Sequence, residues 1–191
     1  MKKYLTFALT FLSINLLIIN CSIEKNPVST VAFLADEQKA AIYQAVLDSM
    51  VLLVGVERIV FKDSTDFFPL TEEIYSQIPD LDPGTLEDFN QRNQNSIPLG
   101  RIPGISMEQI LLSNQEFQNI LVQGGWELFY TRFPESAGLL GMSDIGLSED
   151  GNQALLYFSQ FWYYLAGAGQ LVFLIKNNDW QITKIVTVWI S

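Results

Sequence analysis

Histidine is absent from this chain of 191 residues, and cysteine occurs once, at Cys21. Without an imidazole there can be no Ser-His-Asp relay, no Cys-His nucleophile and no zinc site of the usual nitrogen and sulfur ligands. A single thiol leaves no partner for an internal disulfide. Positive charge is scarce as well: 11 Lys and Arg face 21 Asp and Glu, a net charge of -10. Binding to phosphate backbones or to anionic lipid head groups needs a basic patch, so no nucleic-acid partner is expected. The apolar run Tyr4 to Ile19 is only 16 residues; as a helix it reaches about 24 Å, short of the roughly 30 Å core of a bilayer. For catalysis these absences leave carboxylates, a Ser-Lys pair, tyrosine or a hard metal held by oxygen ligands.

What stands at the start of the chain is an address. Met1-Lys2-Lys3 followed by the apolar run has the layout of a secretory signal. The sequence Leu17-Ile18-Ile19-Asn20-Cys21 that closes the run resembles a bacterial lipobox. Asn20 departs from that pattern, which usually holds Gly, Ala or Ser before the modified cysteine, so processing needs a signal peptidase that accepts a larger polar residue. The resemblance implies a lipoprotein signal peptide over 1–20, palmitate and related acyl chains on Cys21, and a tether over 21–30. Acylation of this kind supplies more than the two membrane signals that stable anchoring requires. The expected location is the bacterial cell envelope, the outer membrane in a Gram-negative cell, with the membrane as partner through the lipid anchor.

Removal of residues 1–20 leaves 171 residues, 9 basic and 21 acidic, with a net charge of -12. That length suits one domain, placed at 31–191. Ala35-Asp36-Glu37-Gln38 opens a first helix, with Asp36 as cap and Ala41, Ala45, Met50 and Leu53 near one face, ending at Val54-Gly55. Val56 to Lys62 reads as a strand. Residues 63–104 carry five of the seven prolines and eight acids, with Arg92 and Arg101 the basic residues among them, and read as the loop-rich part. Within it Asp82-Pro83 starts a short helix to Asn93, because proline suits the first helical position. Ser106 to Leu112 is a further strand. Ser113 and Glu116 have capping-box spacing for a helix broken at Gly124-Gly125 and resumed from Trp126 to Phe133. From Leu139 the pattern is β: strands over 139–147, 153–163, 170–176 and 180–190, with Leu165 to Gly169 as a turn. In the last strand Trp180, Ile182, Val186, Val188 and Ile190 are expected on one face. The fold class is α+β, N-terminal helices packed on a mostly antiparallel C-terminal sheet of about four to six strands.

Leu165-Ala166-Gly167-Ala168-Gly169, Asn177 to Trp180 and the terminal Trp189-Ile190-Ser191 resemble the tail of a group of uncharacterised exported bacterial proteins. Phe129-Tyr130, Phe133-Pro134 and the hairpin Leu147 to Ala154 fit the same group, for which no activity is established. A looser similarity, carried by Asp179-Trp180 just after a hairpin turn, is to cone-shaped domains of the nuclear-transport-factor-2 type. Such a fold hosts both enzymes and binders, so it implies no function.

Candidate sites follow from the aromatic and acidic residues. Phe158, Phe161, Trp162, Tyr163 and Tyr164 crowd one strand and its exit; a strand covered on both faces explains them better than an open stacking platform, for which Trp162 and Tyr164 would be the ligand-binding residues. The acids nearest this region, Glu127, Glu135 and Asp144, are the candidates for carboxylate catalysis. Asp80, Asp82, Glu87 and Asp88 invite a calcium reading, but glycine and threonine fall in the wrong places for an EF-hand loop, and helix capping accounts for them; no metal and no cofactor is expected. Lys176 and Lys184 lack the Ser-x-x-Lys context of a Ser-Lys nucleophile. The leading expectation is a lipid-anchored binding or structural module of the cell envelope, for a small-molecule or protein ligand. The alternative is a carboxylate-dependent, glycan-directed hydrolase.

Overall fold

A computed structural model of the chain describes residues 36–50, 55–164 and 166–191. The segment 1–20, Cys21 and the tether lie outside these residues, as do Ala35, Leu53, Val54 and Leu165, so the expectations placed on them are outside the described part. The fold is α+β, with a mostly antiparallel sheet. Its strands are β1 (Arg58–Lys62), β2 (Glu108–Leu112), β3 (Ser136–Met142), β4 (Gly146–Leu147), β5 (Gln153–Tyr163), β6 (Ala166–Lys176) and β7 (Trp180–Ile190). The helices are α1 (Asp36–Met50), α2 (Glu72–Tyr75), α3 (Pro83–Arg92) and α4 (Asn114–Arg132).

Strand order is β2-β1-β3-β5-β6-β7, with the short β4 pairing to β5 beside β3. β1 runs parallel to both β2 and β3, and the remaining pairings are antiparallel. α4 is thus a crossover between two parallel strands that flank β1, the kind of connection parallel strands require. Because β1 is covered on both faces, Ile59, Val60 and Phe61 are buried in succession.

Three apolar clusters hold the layers together. On one face α1 contributes Ile42, Tyr43, Val46 and Leu47 against Phe61, Leu140, Leu156, Phe158, Val172 and Leu174. The other face is divided. Phe89 of α3 and Ile78 cover Leu155, Tyr157, Leu171 and Phe173, while Ile120, Trp126 and Phe129 of α4 cover Val60 and Leu139. The buried stripe of α1 is rotated from the expected one: Ala41 is exposed and Ala45 half-buried. Alanine gives little directional signal, and the larger Ile42, Tyr43, Val46 and Leu47 decide which side faces the sheet.

Capping fixes the helix ends as the sequence indicates. The Asp82 carboxylate accepts from the backbone N–H of Gly84 at 2.8 Å and of Thr85 at 3.3 Å, ahead of Pro83. Ser113 and Glu116 form the reciprocal capping box of α4. The break expected at Gly124-Gly125 is a kink inside α4, with Gly125 at φ 64° and ψ -154°. That region belongs to glycine because a Cβ there is strained.

Three strand expectations change. The strand drawn from 139 to 147 is interrupted at Ser143-Asp144-Ile145, where the Asp144 carboxylate accepts from its neighbour Ile145 N–H at 3.0 Å in place of a ladder bond. Ala166 to Gly169 is not a turn but the start of β6. These residues are small because Phe161, Trp189 and Tyr157 lie over Gly167 and Gly169, where a Cβ would collide with them. The apolar residues of β7 do not share one face. Register shifts between Phe173 and Leu174 and between Gly169 and Gln170 each insert an extra residue into β7. Trp180 and Ile182 therefore meet the α1 side, Val186 and Val188 the α3 side, and Ile190 is 77% exposed.

Candidate functional site

The acids proposed for catalysis do not come together. Glu127 is exposed on α4, its carbonyl accepting from the Thr131 hydroxyl. Glu135 is exposed at the turn from α4 into β3, where it takes a positive φ of 56° and its carbonyl accepts from Glu57 N–H. Asp144 belongs to the opposite side of the sheet. Its carboxylate accepts from Lys39 Nζ of α1 at 2.5 Å, with side-chain exposures of 29% for Lys39 and 10% for Asp144. Trp162 and Tyr164 are 42% and 55% exposed at the exit of β5, beyond the buried Tyr157 and Phe158. The Trp162 carbonyl accepts from Tyr130 Oη, and the Tyr164 hydroxyl packs at the Gly125 kink, so this end of the strand is braced by α4. Among the described residues no group of three metal-ligating side chains is gathered, and Asp82 serves as a helix cap.

Sequence reasoning missed two polar constellations. In the first, Asp66 Oδ2 accepts from Lys62 Nζ and from Ser159 Oγ, both at 2.8 Å. It sits over Gly141, where a Cβ would stand 2.6 Å from the carboxylate. Beside it Trp189 Nε1–H donates to Tyr157 Oη at 2.7 Å, across Gly169. Burial pushes the Tyr157 phenol up to about 12, against the pull of the Trp189 hydrogen bond. Ser159 is fully buried, so its hydroxyl cannot meet a substrate and the network fills a row of small residues in the sheet.

The second constellation is on the α1 side; Asn93, Tyr43, Ser143 and Asp144 are buried in it, and the half-buried Lys39 is its outlet to solvent. Asn93, at the end of α3, donates from Nδ2 to Phe89 O at 2.8 Å and to Asp144 O at 3.1 Å, and accepts from Asp144 N–H at 2.8 Å. This holds the 143–145 turn in place and aims Asp144 at Lys39. Tyr43 Oη donates to Ser143 O at 2.9 Å, and burial together with the Asp144 charge holds its phenol far above the ordinary tyrosine range. In front of Lys39 and Tyr43 lies a pocket of about 270 Å³, closed on its other side by the loop 97–103 and by Thr65.

That loop is fixed at both ends. Thr65 N–H donates to Ile97 O, Ile97 N–H to Thr65 Oγ1 and Leu99 N–H to Asp63 O, at 2.8, 3.0 and 2.8 Å. Gln109 clasps Ile102 through both its amide atoms, each at 2.8 Å. Between these anchors Gly100 and Arg101 form the lip. Ala40, Leu99, Ile102 and Pro103 give the pocket apolar walls. Such a lining, apolar with a few placed polar groups on a fixed frame, is what a small-ligand site requires.

Two larger concavities differ in kind. A groove of about 900 Å³ runs between the outer side of α1 and the β6–β7 turn, lined by Glu37, Asp48, Asp179, Lys176 and amide side chains. Trp180 lies at its floor, buried, with Lys176 Nζ 5.7 Å from the ring centre. A depression of about 410 Å³ is lined by Asp82, Glu149 and Asp150, of which Asp82 is engaged as a helix cap and Asp150 in turn bonds. No protein-family model, no curated protein and no solved structure matches this chain.

Proposed function

We propose that the chain is an exported, lipid-anchored binding module of the cell envelope whose ligand site is the pocket between α1 and the loop 97–103. The anchoring part rests on the sequence: a basic start, the apolar run Tyr4 to Ile19 and the sole cysteine directly after Asn20. The binding part is carried by one observation, the pocket of about 270 Å³ in which Lys39, Thr65 and Arg101 meet over apolar walls braced by hydrogen bonds at both ends of the loop. A carboxylate-dependent hydrolase needs two convergent acids. Asp144 lies across the sheet from Glu127 and Glu135, and those two are exposed, so the geometry favours binding over that alternative.

Each part has its own test. Cys21→Ser should abolish incorporation of a palmitate analogue and leave the precursor unprocessed; labelling that survives the substitution would remove the lipoprotein reading. For the pocket, Gly100→Phe is the informative change, because nothing lies within 4 Å of a Cβ added at Gly100 and the new ring can occupy the mouth without disturbing the frame. Full-length chain in lipid nanodiscs, dialysed against the small-molecule extract of its own cells, should retain a compound that Gly100→Phe loses. Equal retention by both proteins would sink the pocket as the site.

A further inference from the structure

Resting on that reading of the pocket, we infer that its ligand is a small monocarboxylate with an apolar body, its carboxylate held between Lys39 and Arg101. The chain carries a net charge of -10, yet two basic side chains line one small cavity. Their local charges do not simply add. Lys39 is matched by Asp144 at 2.5 Å, whereas Arg101 forms no ion pair with a described residue. Among the described residues this leaves one positive charge unmatched, which suits a single negative charge and leaves a dianion such as a phosphate monoester short of a partner.

Hydrogen-bond capacity points the same way. Lys39 spends one of its three N–H groups on Asp144, and Arg101 offers the planar fork that takes both oxygens of a carboxylate. The Thr65 hydroxyl accepts from Ile97 N–H and keeps its own proton for a ligand oxygen. Behind these donors Ala40, Leu99, Ile102 and Pro103 provide a wall that a hydrocarbon or aromatic body would cover and a sugar would not. At about 270 Å³ the cavity sits at the small end of ligand pockets, near the lower bound of about 300 Å³. The Asp144 carboxylate is a positioning group: it fixes the Lys39 ammonium, and Asn93 fixes Asp144.

The test compares three probes of one length, hexanoate, hexan-1-ol and hexylamine, by equilibrium dialysis against full-length chain in lipid nanodiscs, with empty nanodiscs subtracted. Hexanoate should bind at least tenfold more tightly than hexan-1-ol, and hexylamine should not bind above the empty discs. Arg101→Gln, a change on the exposed lip that leaves the fold intact, should weaken hexanoate at least fivefold while leaving hexan-1-ol unchanged. Hexanoate no tighter than hexan-1-ol, or untouched by Arg101→Gln, would overturn the carboxylate assignment. The pocket reading fails separately, if Gly100→Phe leaves the binding of every probe and extract compound as it was. Failure of hexanoate to bind at all, while Gly100→Phe still removes an extract compound, overturns the ligand class and spares the site.

Discussion

Asn93 is the residue on which the α1 side of the molecule is assembled. It is buried, and its one amide group serves Phe89 O, Asp144 O and Asp144 N–H. Truncation strands buried backbone groups, each costing about 1–3 kcal/mol, so Asn93→Ala should destabilise the domain by about 2–5 kcal/mol in denaturant unfolding. A loss below about 0.5 kcal/mol would show that water replaces the amide. Trp180 offers a second check at this scale. It is buried between Lys176 and the α1 cluster, so Trp180→Ala should cost about 3–5 kcal/mol, and a midpoint close to that of the unaltered protein would place the ring outside the core. Neither Asn93 nor Lys39 stands out in the sequence: Lys39 and Asp144 are 105 positions apart, and an asparagine at a helix end reads as an ordinary cap. The one available signal for the pocket was Arg101, a basic residue after a long acidic stretch.

At the scale of elements, what could be read in advance was what depends on neighbours in sequence. The bounds of β5 and β7, the proline start of α3 and the capping box of α4 all follow from local chemistry. Elements that depend on distant partners were misread. The start of β6 resembles a turn because Gly167 and Gly169 make room for Phe161, Trp189 and Tyr157, and that crowding exists only once the strands pair. Likewise the alternation along β7 breaks only through its register with β6. The kink of α4 was visible as Gly124-Gly125, and its rigidity can be tested. Gly125 combines a backbone region reserved for glycine with the Tyr164 hydroxyl lying where a Cβ would stand. Gly125→Ala should therefore cost more than the roughly 1–3 kcal/mol of the backbone strain alone, read as a lowered denaturant midpoint. An unchanged midpoint would mean that the kink straightens freely.

Titration is a property of the whole molecule, and the lack of histidine shapes it. On the acid side, hydrogen bonds from Ser148 hold Asp150, and those from Ser113 hold Glu116, below the usual carboxylate range. A depressed carboxylate contributes stability that is present above its unfolded pKa and is lost as pH falls through the folded one, so their contribution should fade below about pH 4. On the alkaline side the sign is reversed. Tyr43 and Tyr157 are raised, first of all by burial, so their contribution is complete below about pH 10 and is lost as pH climbs towards 12 and beyond. Stability should be nearly flat from pH 5.5 to 8 and fall above about pH 10. Unfolding free energies across pH 4–12, with tyrosinate absorbance followed in parallel, check this. Tyr43 should ionise only together with unfolding and Tyr157 only as pH approaches 12; ionisation of both near about pH 10 in the folded protein would contradict their burial.

The double irregularity of β7 has a consequence outside the domain. Among the described residues β7 is the last strand of the sheet, so its outer row of amides and carbonyls has no partner strand. A straight edge of that length would be a template for another chain. With extra residues inserted at two places, the row changes phase twice within one strand, and an incoming strand could match only a fraction of it before slipping out of step. The bulges that divide Trp180 from Val186 thus also discourage the sheet from growing into a neighbouring chain.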